Sequence, residues 1–457
     1  MTKRTPRPVM FIAAALIAAG CAGPLVSPSV AGPATTAMPA ASQASTVVPN
    51  GTPAGPSAPP ATPPPPATSP TVAAITRLQA AVAANPSDEA SQRDLGLALL
   101  QRVRETADPT LYAPAEAALD AARALEPDDA LVLVGIGGLQ LGKHQFAAAL
   151  ATGRQAAALS PNLPTARAVV VDALVELGRY DEAQAAAGEM FAIASDLTTL
   201  SRVSYLAELH GQLDVAVEAM RMAASTPGLV PENIAFVQAI LGNLLEYTGD
   251  KDGAAKAYAR ALAGVPAHAP SLAGEGRLAV GAGDIEAAIP LFQRAADILP
   301  LPEYVIALAE AQSVAGHMDD AINNFKLARA EIQIFQATGV VVDVDLALFE
   351  ADHGDPVKAL AYAQTGYKAT PTVRAADALA WALHRLGRDT EAKRRSDEAL
   401  RLGSRDPLIR YHAGAIAAAL GRTADARHDL QLALSTDPGF SATGAAEARR
   451  ILATLPH

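Results

Sequence analysis

Small residues recur along the chain in register with glycines, and the recurrence predicts pairs of helices joined by short polar turns. A glycine with an alanine five positions later appears at nine evenly spaced places. Successive glycines lie 33 to 38 residues apart, which is the length of two helices with their connections. The nine pairs are Gly142/Ala147, Gly178/Ala183, Gly211/Ala216, Gly249/Ala254, Gly283/Ala288, Gly316/Ala321, Gly354/Ala359, Gly387/Ala392 and Gly421/Ala426.

Each glycine of the series is suited to end a first helix, because a left-handed cap is best met by a residue without a side chain. An acid follows within the next turn in most copies, where the dipole of a second helix favours it. Seven residues before each glycine the side chain is small, except at Val171. Tyr258, Phe292 and Phe325 each lie four residues after their alanine. We therefore expect closely packed helix pairs with an aromatic slot.

These positions resemble the tetratricopeptide repeat (TPR) family over about residues 85–457. The resemblance implies an all-α superhelix of about ten helix pairs, whose first helices line a concave groove. A tenth pair precedes the nine, with residues 87–105 as its first helix, and residues 72–86 are expected to form a lone helix ahead of it. Residues 441–455 are expected to form a closing helix over the last pair.

Two of the spacings are longer than the rest and predict extra turns near residues 226–230 and 331–339. Residues 340–345 (VVVDVD) have the β-branched composition of a strand. The repeat register places a first helix there, and a first helix is the prediction.

The N-terminus has the layout of a secretory signal peptide over residues 1–20: a basic start, a short apolar centre and small residues. The string LIAAGC at residues 16–21 resembles a lipobox, which implies cleavage before Cys21 and attachment of a lipid to its sulfur. Ala18 stands where that family usually has leucine. An ordinary cleaved signal and an uncleaved anchor with an incidental cysteine are the alternatives.

Residues 22–72 contain no charged side chain and consist largely of proline, alanine, serine, threonine and glycine. Such a composition cannot bury enough apolar surface to fold. We expect residues 21–72 to be a lipidated, disordered tether ahead of a TPR solenoid at residues 73–457.

Composition and charge narrow the class of protein further. Half of the residues are hydrophobic but only 4% are aromatic, as expected for alanine-rich helices. The net charge is −11, and the first 72 residues carry three basic groups and no acid. An acidic body repels phosphate backbones, so nucleic acid is not expected as a ligand, whereas basic partners are favoured. A single cysteine excludes an internal disulfide and a cysteine-based zinc site.

Motifs for chemistry are incomplete. Residues 137–144 approach a P-loop, but His144 replaces the required hydroxyl residue and no strand precedes it. The histidines do not form a ligand pair on one helix face, and no nucleophilic triad can be assembled. We therefore expect no enzyme activity, no cofactor and no metal site.

The groove predicted by the resemblance can be located by counting back six and three residues from each glycine. Two sets of side chains stand out as candidate protein-binding residues. The first is a polar central strip of Tyr205, Glu208, Asn243, Glu246, Arg277 and Glu310. The second surrounds the single tryptophan and consists of Arg374, Trp381, Arg385 and Tyr411. Tryptophan and arginine are favoured at binding hot spots, although solvated groove residues and simple packing are the alternative interpretations.

The pattern favours a membrane-anchored scaffold for other proteins or peptides in the bacterial cell envelope, with its body on the periplasmic or extracellular side. The chain is similar to TPR lipoproteins of envelope assembly systems, the tight-adherence pilus among them. That similarity implies pilus or secretion-complex assembly by analogy alone. A glycan-binding accessory of exopolysaccharide or cell-wall handling and a purely architectural spacer remain alternatives.

Overall fold

The computed structural model describes residues 70–337 and 342–456, and every element in this part of the chain is helical. The predicted all-α class is therefore confirmed. A single-turn 3₁₀ helix, Pro109–Leu111, lies between α2 and α3. The α-helices are α1 (Pro70–Ala84), α2 (Glu89–Thr106), α3 (Tyr112–Leu125), α4 (Ala130–Gly142), α5 (Phe146–Leu159), α6 (Pro164–Glu176), α7 (Tyr180–Ile193), α8 (Leu197–Leu209), α9 (Leu213–Ala224), α10 (Pro231–Thr248), α11 (Lys251–Gly264), α12 (Ala269–Ala282), α13 (Ile285–Ile298), α14 (Pro302–Ala315), α15 (Met318–Ala337), α16 (Asp343–His353), α17 (Pro356–Ala369), α18 (Val373–Arg385), α19 (Asp389–Ala399), α20 (Pro407–Ala419), α21 (Thr423–Thr436) and α22 (Ala442–Thr454).

The turn within most helix pairs is made by the glycine of the series in a left-handed conformation, as predicted. The prediction is wrong at two places. Gly142 remains inside α4, and His144 takes the left-handed conformation with φ of 57°. Gly354 has φ of −144° and is therefore not left-handed. In the earliest pair, which lacks a glycine, buried Ala107 makes the turn with φ of 51°.

The close packing within pairs depends on the small residues before each turn. A Cβ at Gly242 of α10 would lie 2.4 Å from the ring of Tyr258, and one at Gly274 of α12 would lie 2.3 Å from the same ring. Gly276 is opposed in the same way by Phe292, at 2.6 Å. The glycines therefore leave room for buried aromatic rings between neighbouring helices, and the predicted aromatic slot is confirmed at Tyr258 and Phe292.

The ends and the irregular spacings differ in detail from expectation. Helix α1 begins at Pro70, inside the predicted tether. Residues 331–337 of the longer spacing continue α15, and residues 338–339 lie outside the described part of the chain. Residues 226–230 form the predicted connection. Asp343–Asp345 begin α16, so the described part of the VVVDVD stretch is a first helix as predicted.

The superhelix closes on itself, so that helix pairs far apart in sequence touch. The hairpin turns at Gly178 and Gly211 meet the loops at Pro371 and Gly403. The Val373 N–H donates to the Tyr180 hydroxyl at 3.0 Å, where both groups are buried. We call the contact of residues 178–180 and 208–211 with residues 371–373 and 401–406 the seam. It brings the first helices around an interior space.

Candidate functional site

Three residues of the predicted central strip are joined by hydrogen bonds around Arg277 of α12, which is one of them. Its Nη2 donates to Asn243 Oδ1 at 2.6 Å and to Glu246 Oε2 at 3.0 Å, both on α10. The Tyr258 hydroxyl of α11 accepts from the same Nη2 at 3.0 Å and donates to Asn243 Oδ1 at 2.7 Å. Tyr258 therefore completes a four-residue polar cluster that joins two helix pairs. The sequence identified the aromatic slot but not its hydroxyl as part of the strip.

Burial sets the electrostatics of this cluster. Glu246 is only 3% exposed. Desolvation raises the pKa of Glu246 to about 7, and the charge of Arg277 opposes that rise. The ion pair therefore stabilises the carboxylate inside a surface that excludes water, and loss of either partner would leave a buried charge uncompensated.

The sixth residue of the strip, Glu310 of α14, forms a second polar cluster. It is 7% exposed. Its Oε1 lies 3.3 Å from His353 Nε2, and its Oε2 accepts a hydrogen bond from Ser441 Oγ at 2.7 Å. Burial alone would raise the pKa of Glu310, but the bonds from His353 and Ser441 lower it below its ordinary value. Ser441 lies far along the chain, and sequence reasoning gave no sign of its contact with Glu310.

The remaining strip residues, Tyr205 and Glu208, lie on α8 and are half-buried. Tyr205 faces the interior. Desolvation and the nearby charge of Asp406 raise the pKa of Glu208 to about 8. The strip is therefore not one continuous open surface. Glu208 belongs to the seam at one end, and Ser441 covers Glu310 at the other.

The patch around Trp381 is built differently from a solvent-facing hot spot. Trp381 is 2% exposed, stacks on His412 with 4.1 Å between ring centroids, and donates from Nε1 to Asp352 Oδ1 at 2.7 Å. Tyr411 is also buried, with its ring centroid 5.4 Å from that of Trp381. In this closed conformation the indole is out of a partner's reach, and its role as a contact residue stays a prediction.

The two arginines of the patch are exposed and line the interior. Arg374 Nη2 donates to Asp345 Oδ1 at 2.6 Å. Arg385 Nε donates to the Ala351 carbonyl at 2.9 Å, and its guanidinium lies over the Trp381 ring at 5.8 Å. These side chains are the accessible part of the predicted patch.

A buried pair beneath Trp381 was missed from the sequence. His412 Nδ1 lies 2.9 Å from Asp377 Oδ2, and both residues are almost fully buried. Burial lowers the pKa of His412, but the Asp377 carboxylate outweighs it and raises the pKa above its ordinary value. The two residues are 35 positions apart in the sequence, about one repeat length, and this spacing could have suggested that they lie side by side on neighbouring helix pairs.

The seam and the first helices enclose an interior cavity of about 1250 Å³. Ligand pockets typically span about 300–1,000 Å³, so this space suits a stretch of polypeptide better than a small molecule. Its walls carry charged, hydroxyl and aromatic groups from positions between residues 144 and 447. They include Tyr205, Arg277, Tyr304, Glu310, Arg374 and Phe440.

Cys21 and the lipobox lie outside the described residues, as does most of the predicted tether. Among residues 70–337 and 342–456, no helix is both long and apolar enough to cross a bilayer.

A tetratricopeptide repeat model matches residues 241–301, the stretch that contains the Arg277 cluster. No curated protein matches the chain significantly. A thermophilic TPR protein of Thermus thermophilus is 21% identical, covering 47% of this chain and 100% of that one at a TM-score of 0.36. Pseudomonas aeruginosa PilF is 16% identical, covering 46% of this chain and 96% of that one at a TM-score of 0.38. The human IFIT1 dimer is 15% identical, covering 69% of this chain and 73% of that one at a TM-score of 0.46. Residues 241–301 thus carry a tetratricopeptide repeat, within a solenoid of helix pairs.

Proposed function

We propose that the chain is a lipid-anchored scaffold of the bacterial cell envelope that holds protein partners at the interior of its superhelix. The observation that carries the proposal is the cavity between the first helices, which is larger than a typical small-molecule pocket and lined by polar side chains from distant repeats. Among the cavity residues, Arg374 and Arg385 are exposed and Tyr205 is half-buried, so these side chains are accessible to a partner.

The proposed anchor is supported by the sequence of residues 1–21, which has the order of a signal peptide followed by a lipobox-like cysteine. The uncharged stretch before Pro70 supports a tether. Fully extended at about 3.1 Å per residue, a tether of that length reaches roughly 150 Å. The solenoid would then work well away from the membrane surface, where a large assembly has room.

Assembly of a pilus or of a secretion complex is the narrower form of this proposal. It is supported by the combination of a lipoprotein-like N-terminus with helix pairs, and by no single side chain. An acidic body favours basic partners, through a weak attraction that added salt screens.

Glycan binding is a second candidate function, favoured by the aromatic rings on the cavity wall. Tyr205, Tyr304 and Phe440 all line the cavity, and aromatic faces are common platforms for partly apolar ligands. Binding of cell-wall or exopolysaccharide fragments to the purified chain, with no protein captured from crosslinked membranes, would favour this candidate over the scaffold.

Crosslinking in cells tests the scaffold. Proteins that co-purify with wild type are compared with those captured by Cys21→Ala and by Arg374→Ala, which removes a cavity charge. Arg388→Ala is the matched control, because Arg388 is equally exposed but pairs with Glu391 outside the cavity wall. A defined set of proteins that needs Cys21 and Arg374 but not Arg388 supports the proposal, and capture that ignores all three substitutions contradicts it.

A further inference from the structure

The loop of residues 437–441, here called the C-terminal loop, enters the groove between α12 and α14. Gly439 is buried against the backbone of α12, where an added Cβ would lie 2.0 Å from the Arg277 carbonyl oxygen and 2.9 Å from the Gly281 nitrogen. Such an approach is open only to a residue without a side chain. The loop is therefore inserted into the groove and does not merely pass over it.

Side chains of the C-terminal loop reach the same groups that the groove offers to a partner. Asp437 is buried, with Oδ2 3.9 Å from Arg277 Nε. Ser441 Oγ donates to Glu310 Oε2 at 2.7 Å. Phe440 lies with its ring centroid 5.6 Å from that of Tyr411. The loop thus contacts both polar clusters of the strip and one aromatic of the Trp381 patch.

The helix that follows fixes the loop in place. Ser441 also caps α22, since its Oγ accepts from the Gly444 N–H at 2.8 Å. Ala442, the first residue of α22, is buried in the same cluster as Leu301, Val305 and Leu308. Helix α22 therefore packs on α14 as well as on the last helix pair. The predicted closing helix is present, but it covers more than the end of the stack.

We propose that the C-terminal loop is an internal ligand of the groove, and that a protein partner gains Arg277 and Glu310 by displacing it. The partner would carry the same chemistry in the same order: a carboxylate, a glycine, an aromatic ring and a hydroxyl. This inference rests on the proposed scaffold function for the existence of such a partner, but the closed state can be tested without one.

Displacement of the loop requires the movement of one terminal helix. In a helical repeat each unit contacts its neighbours, so α22 can leave while the rest of the stack keeps its own contacts. A tethered segment acts at an effective concentration of about millimolar. A free segment with the same contacts therefore loses the competition at micromolar concentration, and a successful partner needs further contacts in the cavity.

The test uses the full-length chain and a fluorescein-labelled synthetic peptide with the sequence of residues 434–445 (LSTDPGFSATGA). Gly439→Val places a side chain against the Arg277 carbonyl and should expel the loop. By fluorescence anisotropy, we expect this variant to bind the peptide at least tenfold more tightly than wild type, and a peptide with Phe440→Ala and Ser441→Ala to bind more weakly. Gly188→Val is the matched control, because a Cβ there meets no atom within 4 Å.

Circular dichroism shows whether Gly439→Val keeps its helices. Should it unfold, a chain carrying Phe440→Ala and Ser441→Ala takes its place, since it removes contacts without adding bulk. Equal binding by wild type and the folded variant, or binding by neither, overturns the proposal. Failure of the scaffold function appears instead as loss of specific capture in cells, so the two failures are distinct.

Discussion

Two turn glycines have similar left-handed backbones, but only one of them packs against another part of the chain. Comparing alanine substitutions at the two positions measures how much the packing at the seam contributes to stability. Gly211 has φ of 70° and Gly249 has φ of 85°. A Cβ at Gly211 would lie 2.3 Å from the Gly403 carbonyl oxygen, whereas a Cβ at Gly249 meets no atom within 4 Å. The left-handed conformation costs alanine roughly 1–2 kcal/mol at either position. Overpacking at the seam adds about 1–3 kcal/mol at Gly211.

We therefore expect Gly211→Ala to lower the free energy of unfolding by about 2–5 kcal/mol and Gly249→Ala by about 1–2 kcal/mol. Urea unfolding can be followed by the fluorescence of Trp381, the single tryptophan. Trp381 belongs to α18, whose first residue Val373 bonds to Tyr180 across the seam, so its signal reports the part of the stack under strain. Equal losses in the two variants would refute the claim that the turn at Gly211 is packed against Gly403.

Three further substitutions test separate parts of the account. Tyr258→Phe removes a hydroxyl bonded to Asn243 and Arg277, and should lower the free energy of urea unfolding by about 1–3 kcal/mol; no change would contradict the cluster. Burial raises the pKa of Glu331 to about 8, so its protonated form adds stability at acid pH that is lost as pH rises through about 8. Glu331→Gln should then unfold at a higher temperature than wild type at pH 9 and at a similar one at pH 5; the same difference at both pH values would contradict this. Trp381→Ala should cost about 3–5 kcal/mol by urea unfolding followed by circular dichroism, as for a packed core residue, and a near-neutral effect would favour a contact role instead.

The repeat pattern predicted the helices because each depends on local features. The glycines at positive φ, the aromatic rings at Tyr258 and Phe292, and the closing helix all follow from residues within about one repeat. Even the failure at Gly142 is local, since His144 shows that the left-handed residue can shift along the turn.

Closure of the superhelix could not be predicted in the same way. The contact of Val373 with Tyr180 spans 193 residues, and that of Ser441 with Glu310 spans 131. Such contacts depend on a small rotation between successive repeats, and this rotation accumulates along the stack. The spacing of residues in the sequence does not reveal its size. For the same reason the sequence predicted Glu246 and Glu310 as groove residues but not the loop that lies against their clusters.

Crosslinking across the seam tests the closed superhelix most directly. Cysteines replace His210 and Arg405 in a Cys21→Ala background, where the Arg405 side chain lies beside the turn at Gly211. A short bismaleimide should join the two positions within one chain, and a second pair at Arg179 and Glu182, which are in contact on one hairpin, reports that the chemistry works. The account predicts both crosslinks in monomeric protein. A crosslink at the second pair but none at the first would contradict it.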